Sequence, residues 1–262
     1  MKVTILGCGA SAGVPMIGGA DGAGDWGACD PTEPRNRRTR SSIVIESVLG
    51  QRLLVDASPD LRNQIIDNRI RGVDAILFTH AHADHIAGID DIRLLNRIAN
   101  RPLDAFGMPV TLAEISRRFA YAFSPWTPPH FYRPVLVAQP VEPGATLDVA
   151  GLNVRIFRQN HGKIDSLGLR IGSFAYSTDV VKLDDAAMAV LAGVDTWILD
   201  CFLRGETHWT HANLDIVLGW VAQLQPRRTI LTHMGTGMDW AWMAANLPSG
   251  VEAAFDGMVV TI

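Results

Sequence analysis

The sequence predicts an α/β protein built as an αββα sandwich, two mixed β-sheets stacked face to face with helices outside. Three observations predict it. Elements run as several strands with few helices, then a long irregular stretch at 102–135, then strands and helices again. That order suits two stacked sheets better than one doubly wound parallel sheet. Apolar strands stop repeatedly at a His or an Asp, after Phe78, Gln159, Ser177 and Leu231. No linker, short-period repeat or low-complexity tract interrupts the 262 residues, so residues 1–262 read as a single domain.

Lys2–Leu6 reads as the first strand. Gly7-Cys-Gly9-Ala-Ser-Ala-Gly13 follows, and its third Gly falls one place late for a dinucleotide fingerprint. A turn that lets backbone approach a site is the better reading. Gly18–Asp30 is a Gly-rich loop, and Arg35-Asn-Arg-Arg-Thr-Arg40 is either a solvated basic turn or a phosphate-facing patch. Ser42–Glu46 and Gln51–Val55 pair as a hairpin around Leu49-Gly50. Asp60–Arg69 has helical periodicity. The run Val73–Phe78 is a buried strand, and Ile86–Ile98 reads as one helix that ends near Asn100, before Pro102.

In the irregular stretch, Val110–Leu112 reads as a short strand and Glu114–Tyr121 as a helix. The Pro- and aromatic-rich segment Ser124–Pro134 either packs over a sheet edge or forms a lid or substrate wall. Strands follow at Val135–Ala138, Thr146–Val149, Asn153–Gln159, Leu167–Ile171, Phe174–Ser177, Thr196–Asp200, Arg228–Leu231, Val251–Ala254 and Met258–Ile262. Helices are expected at Ala186–Ala192, Asn213–Leu224 and Asp239–Ala245.

Composition narrows the function classes. A hydrophobic content of 48% is that of an ordinary globular protein. The net charge of −4 gives no global pull toward nucleic acid and argues against a polynucleotide partner. Cys8, Cys29 and Cys201 are odd in number and widely spaced, which suits a reducing, cytoplasmic setting rather than a disulfide framework. The N-terminus reads as a strand rather than a signal peptide, and no apolar stretch approaches the ~18 residues of a membrane span.

The chemistry concentrates in Thr79–Asp91, THAHADHIAGIDD, where a strand ends and a helix begins. Alternation on a strand points His80 and His82 to one side, so both reach one ion. The turn then throws Asp84 and His85 toward a neighbouring position. Imidazoles with a carboxylate suit Zn, Mn or Fe. Strand-end residues recur at His161, Asp179 and His233, and can converge on one end of the sheets.

This series, H-x-H-x-D-H, then a lone His, an Asp and a late His, resembles the metallo-β-lactamase superfamily in order and over nearly the whole chain. Within it, the chain is most similar to the phosphodiesterases of phosphonate utilisation, which open phosphoribosyl cyclic phosphate. Shared features are the opening G-x-G-x-x-x-G-V-P, Asn36-Arg37-Arg38-x-x-x-Ser42, Leu199-Asp200-Cys201, His211-x-x-Leu before Leu231-Thr232-His233, and the tail Pro248-Ser-Gly with Phe255-Asp-Gly-Met258.

The resemblance implies two divalent ions. His80, His82 and His161 would hold one, Asp84, His85 and His233 the other, and Asp179 would bridge them together with a water or hydroxide. It implies His211 as the non-ligand catalytic histidine, a general acid, with His208 the second candidate for that role or only a surface residue. Asp84 takes part in catalysis as a ligand. Arg37 and Arg38, with His208, are candidate substrate contacts, since guanidinium suits phosphate oxygens. Asp56 and Asp200 either accept from ligand imidazoles or only cap strands. A homodimer is the assembly the resemblance suggests. Those phosphodiesterases also carry extra cysteines in the loop equivalent to Gly24–Cys29 and a further His after the last ligand, which form a separate structural zinc site. Here Cys29 stands alone, with Gly235 and Thr236 after His233, so that site is expected to be absent.

The expected function is a dinuclear-metal phosphodiesterase acting on a small phosphate diester, cyclic or nucleotide-like. The competing readings are a tRNA 3′-end endonuclease, a thioester or other hydrolase of the superfamily, and a non-catalytic nucleotide-binding module. The endonucleases usually carry a long arm between the lone His and the Asp, whereas His161 and Asp179 leave room for about one strand pair.

Overall fold

Branched aliphatic side chains alternate at a period of two along the first strands. In the computed structural model, which describes residues 1–262, that alternation becomes a sheet with both faces covered. Strands β1 (Lys2–Gly7), β2 (Ser42–Glu46) and β3 (Arg52–Val55) form an antiparallel meander. Helix α1 (Leu61–Asp67) leads to β4 (Ala75–Leu77), parallel to β3. Helices α2 (Ala83–Ile86) and α3 (Ile92–Ala99) lead to β5 (Leu103–Gly107), and α4 (Pro109–Arg118) precedes the edge strand β6 (Leu136–Pro140).

The second half repeats the scheme. Strands β7 (Thr146–Val149), β8 (Leu152–His161), β9 (Ile164–Ile171) and β10 (Phe174–Ser177) are antiparallel. Helix α5 (Asp185–Leu191), β11 (Thr196–Asp200), α6 (Leu214–Leu224), β12 (Arg228–Thr232), α7 (Trp240–Asn246) and β13 (Val251–Ala253) continue it with parallel strands. The last strand, β14 (Val259–Thr261), returns to β1. Two mixed seven-stranded sheets result, ordered β14-β1-β2-β3-β4-β5-β6 and β13-β12-β11-β10-β9-β8-β7. This is the sandwich expected from the sequence.

The period-two pattern divides the first sheet between two cores. Ile43, Ile45, Leu53, Val55 and Leu77 share a central core with Ile156, Leu169, Tyr176, Ile198 and Leu231 of the second sheet. Val44, Leu54, Ile76 and Phe78 point the other way and pack with Leu61, Ile92, Leu95 and Ile115 of the helices. Each such side chain contributes about 1.5–3 kcal/mol on burial. No helix is long and apolar enough to cross a membrane.

Two expected elements differ. The helix expected over Ile86–Ile98 is broken into α2, a 3₁₀ turn at Ile89–Asp91, and α3. The break falls at Gly88, whose amide donates to the Ala57 carbonyl at 2.9 Å. A Cβ there would stand 2.0 Å from the Ser58 carbonyl oxygen, so the chain leaves the helical path where it touches that loop. The strand expected at Val110–Leu112 is instead the start of α4, with Pro109 in its first turn. Thr111, Leu112 and Ile115 form its buried face, while Val110 is exposed. The strand of this region is β5, which a polar Asp104 and a terminal Gly107 disguise in the sequence.

Candidate metal centre

Six strands end at the same pole of the sandwich, and each hands its next residues to one cluster. Asp56 follows β3, Thr79 and His80 follow β4, and His161 closes β8. Asp179 follows β10, Asp200 closes β11, and His233 follows β12. Asp56, Asp179 and His233 have left-handed backbones, with φ of 64°, 54° and 56°. For residues other than Gly such a conformation costs about 1–3 kcal/mol. The turn it makes aims each side chain back between the sheets.

Two groups of ligand atoms meet on one carboxylate. His80, His82, His161 and Asp179 form the first, and Asp84, His85, His233 and Asp179 the second. Asp179 Oδ2 lies 3.4 Å from His161 Nε2 and 3.7 Å from His80 Nε2. His82 Nδ1 lies 3.2 Å from His161 Nε2. Asp179 Oδ1 turns to the other side, 3.1 Å from His85 Nε2 and 3.3 Å from His233 Nε2. Asp84 Oδ2 completes that group, 3.1 Å from His85 Nε2 and 3.5 Å from His233 Nε2. The structure therefore brings together all seven residues expected as ligands.

The donor set fits divalent ions on an independent ground. His80 Nε2 and His85 Nε2 are buried and without hydrogen-bond partners. Buried imidazole nitrogens are seldom left so, and here each points at the shared carboxylate. The opposite nitrogens are fixed. His85 Nδ1 donates to Asp56 Oδ2 at 2.7 Å. His80 Nδ1 donates to Thr79 Oγ1 at 3.1 Å, and that hydroxyl donates to Asp56 Oδ2 at 2.8 Å. His161 Nδ1 donates to the Thr210 carbonyl at 2.8 Å. With Nδ1 protonated, each ring presents the Nε2 lone pair inward.

Electrostatics follow the same division. Burial holds the His80 imidazole well below its usual value. Burial also opposes charge on Asp84 and His233, but there the partners prevail. His85 and His233 hold the Asp84 carboxyl below the usual carboxylate range. Asp179, Asp84 and Asp200 push His233 up to about 9.

His211 stands beside the cluster. Its Nδ1 donates to Asp200 Oδ2 at 2.9 Å, and its Nε2 lies 4.0 Å from Asp179 Oδ2. Asp200 Oδ2 also accepts from the Val180 amide at 2.9 Å, which fixes the carboxylate that orients the ring. Of the two carboxylates expected either to accept from ligand imidazoles or to cap strands, Asp56 accepts from His85, whereas Asp200 accepts from His211 and lies 3.8 Å from His233 Nδ1.

The expected substrate contacts fare differently. Arg38 is buried, and its guanidinium donates to Asn36 Oδ1 at 3.1 Å and the Met238 carbonyl at 2.6 Å. It is a brace beneath the loop after His233, which corrects its reading as a substrate contact. Arg37 is exposed and stacks over Trp26, 5.0 Å from the ring centroid. His208 is half-buried, with Nδ1 3.0 Å from Thr210 Oγ1 and its ring 5.3 Å from that of His211. Cys29 is buried and its thiol lies 3.3 Å from the Thr236 carbonyl.

A cavity of about 500 Å³ opens beside His80 and His82. Its walls are α4, through Val110, Thr111, Glu114 and Arg118, and the β8–β9 turn at Gly162–Asp165. The Ser124–Pro134 loop lines none of it. That loop packs on itself through Trp126 and Phe131, stacked at 4.7 Å, and leads into the edge strand β6. The wall-forming role of α4 escaped the sequence reading because its first turn resembled a strand.

Comparison with known proteins agrees with this geometry. A model of the beta-lactamase superfamily domain matches residues 51–234. The crystal structure of a diphosphatase from the PhnP family is similar over 100% of this chain and 97% of that one, with a TM-score of 0.88 and 31% identity. Human tRNase Z, short form, is similar in fold, with a TM-score of 0.71 at 18% identity over 100% of this chain and 99% of that one. An octanoyltransferase of Porphyromonas gingivalis is 28% identical over 263 residues, and the chain spans 52% of that protein's length.

Proposed function

The chain belongs to the beta-lactamase superfamily, near its PhnP family; on that premise we propose that it is a metal-dependent hydrolase, a phosphodiesterase acting on a small phosphate ester. One observation carries the reading: two ligand groups share the Asp179 carboxylate, and an imidazole anchored by a carboxylate stands 4.0 Å from it.

His80, His82, His161 and Asp179 would hold one divalent ion, and Asp84, His85, His233 and Asp179 the other. Such a pair activates water at neutral pH and takes up charge developing on phosphorus. The remaining work falls to the chain. Asp200 accepts from His211 Nδ1–H, so a proton on Nε2 is the one free to leave. Directed at the oxygen of the departing group, it removes the cost of expelling an alkoxide. The buried Asp179 and Asp84 carboxylates offset the charge of the ions, and the apolar floor of the sandwich keeps bulk water out.

The likeness to a PhnP-family diphosphatase supports a second substrate bond, the phosphoric anhydride, which the same groups would serve. A tRNA precursor is disfavoured by the short β9–β10 strand pair, which is all that lies between His161 and Asp179, and by the net charge of −4. The test is a panel of cyclic phosphates, acyclic diesters and nucleoside diphosphates, assayed with Mn or Zn. Turnover of a diester with saturation kinetics is expected. No turnover of any member at full metal occupancy overturns the proposal.

A further inference from the structure

The β8–β9 hairpin turns at Gly162 and Lys163, directly after His161. Gly162 has φ of 75°, and a Cβ there would lie 2.7 Å from Thr210 Cγ2 and 3.1 Å from the Trp209 carbonyl oxygen. Only Gly permits that approach. Together with the bond from His161 Nδ1 to the Thr210 carbonyl, it seats the hairpin tip on the segment that leads to His211. The contact sets Lys163, which lines the cavity, beside Trp209 on the neighbouring segment. Lys163 Nζ lies 5.8 Å from the Trp209 ring centroid.

Neither group is committed elsewhere. Trp209 is 65% exposed, unusually so for so large an aromatic side chain, and its one charged neighbour over the ring is Lys163. Lys163 is exposed and makes no ion pair or side-chain hydrogen bond. The other cation in the cavity wall, Arg118, is already engaged. Its Nε lies 2.6 Å from Glu114 Oε1 and its Nη1 2.9 Å from the Ala81 carbonyl. Ring contacts run from Trp209 through His208 to Phe202 and His211, with centroid spacings of 6.3, 5.1 and 5.3 Å among these rings.

An unpaired cation and an exposed indole therefore stand two residues from a candidate ligand and two from the candidate acid, and the cation lines a cavity large enough for a small organic phosphate. We infer that this rim selects a nucleotide: the base stacks on Trp209, and Lys163 pairs with phosphoryl oxygens facing away from the metal centre. The inference rests on the reading of the site as a phosphodiesterase. It makes Trp209 and Lys163 determinants of specificity. Stacking on an indole is tolerant of base identity, so the class is set rather than the particular base.

Calorimetric titration of the metal-loaded protein with adenosine 5′-monophosphate and with ribose 5-phosphate separates base from phosphate without needing turnover. The wild-type chain is expected to bind the nucleotide at least about fivefold more tightly, the lower end of what one stacked base supplies. Trp209→Ala removes that preference and leaves ribose 5-phosphate affinity and metal content unchanged, and Trp209→Phe restores most of it. Lys163→Ala weakens both ligands, by a factor that shrinks as salt rises. Equal binding of the two ligands by the wild-type chain overturns the inference, as does a Trp209→Ala variant that loses both together. A Lys163→Ala variant that changes neither removes its phosphate arm. A nucleotide preference without any phosphodiester turnover refutes the proposed function alone. Turnover without the preference refutes the rim alone.

Discussion

Asp179 meets two demands at once. Its oxygens are divided between two ligand groups, and its backbone sits at φ of 54°. Asn tolerates that conformation nearly as well as Asp, so Asp179→Asn removes the charge while leaving the turn intact. The expected result is a folded chain by circular dichroism whose metal content falls below one ion by elemental analysis. His211→Ala acts differently. Metal content should be unchanged while kcat falls by about 10²–10⁴, the usual contribution of a positioned acid. Residue types made the cluster legible in the sequence, because six of the eight histidines lie in it, with His80, His161 and His233 at strand ends. Arg38 shows what residue type leaves out. Its neighbours in Arg35-Asn-Arg-Arg-Thr-Arg40 suggest a solvated basic loop, whereas its burial follows from partners that include the carbonyl of Met238, 200 residues away.

Elements were legible where one period held along them. The strands that end at His161, Asp179 and His233 are apolar on both faces or alternate cleanly. They fail to announce themselves where a tertiary contact overrides the local pattern, as at Gly88. There the helical periodicity of Ile86–Ile98 is genuine, but the Ser58 carbonyl occupies the space a Cβ at Gly88 would need. Gly88→Ala is expected to destabilise by about 1–3 kcal/mol, the usual cost of overpacking. In a chain of this length that lowers Tm by several degrees. Because α2 carries Asp84 and His85, the same variant should bind metal more weakly, measurable by competition with a chromogenic chelator.

On the scale of the whole molecule, one carboxylate fastens the chain's end to its beginning. Asp256 accepts from the Cys8 amide at 3.0 Å, the Thr39 amide at 2.7 Å and the Thr39 hydroxyl at 2.6 Å. Burial pushes its carboxyl up to about 6 against those donors. The folded value exceeds the ~3.9 of an unfolded Asp. Its contribution to stability is therefore complete below about pH 4 and is lost as pH rises through about 6. Thermal melts of Asp256→Asn should lie below the wild type and show a flatter profile between pH 4 and 6. Chelation tests the centre at the same scale. An ion at a thousandfold excess over its Kd adds about 4 kcal/mol, so EDTA should lower Tm by roughly 10 °C and added Mn or Zn should restore it.

The two halves of the chain contribute unequally in time to that centre. His80, His82, Asp84 and His85 are synthesised with the first sheet, whereas His161, Asp179 and His233 arrive with the second. A ribosome that has passed the first sheet has exposed four ligand-type side chains with no bridging carboxylate to divide them. The first edge, β1, stays open until β14 is made. The full set of ligand-type side chains thus exists only once His233 has been made, and only the finished sandwich brings it together.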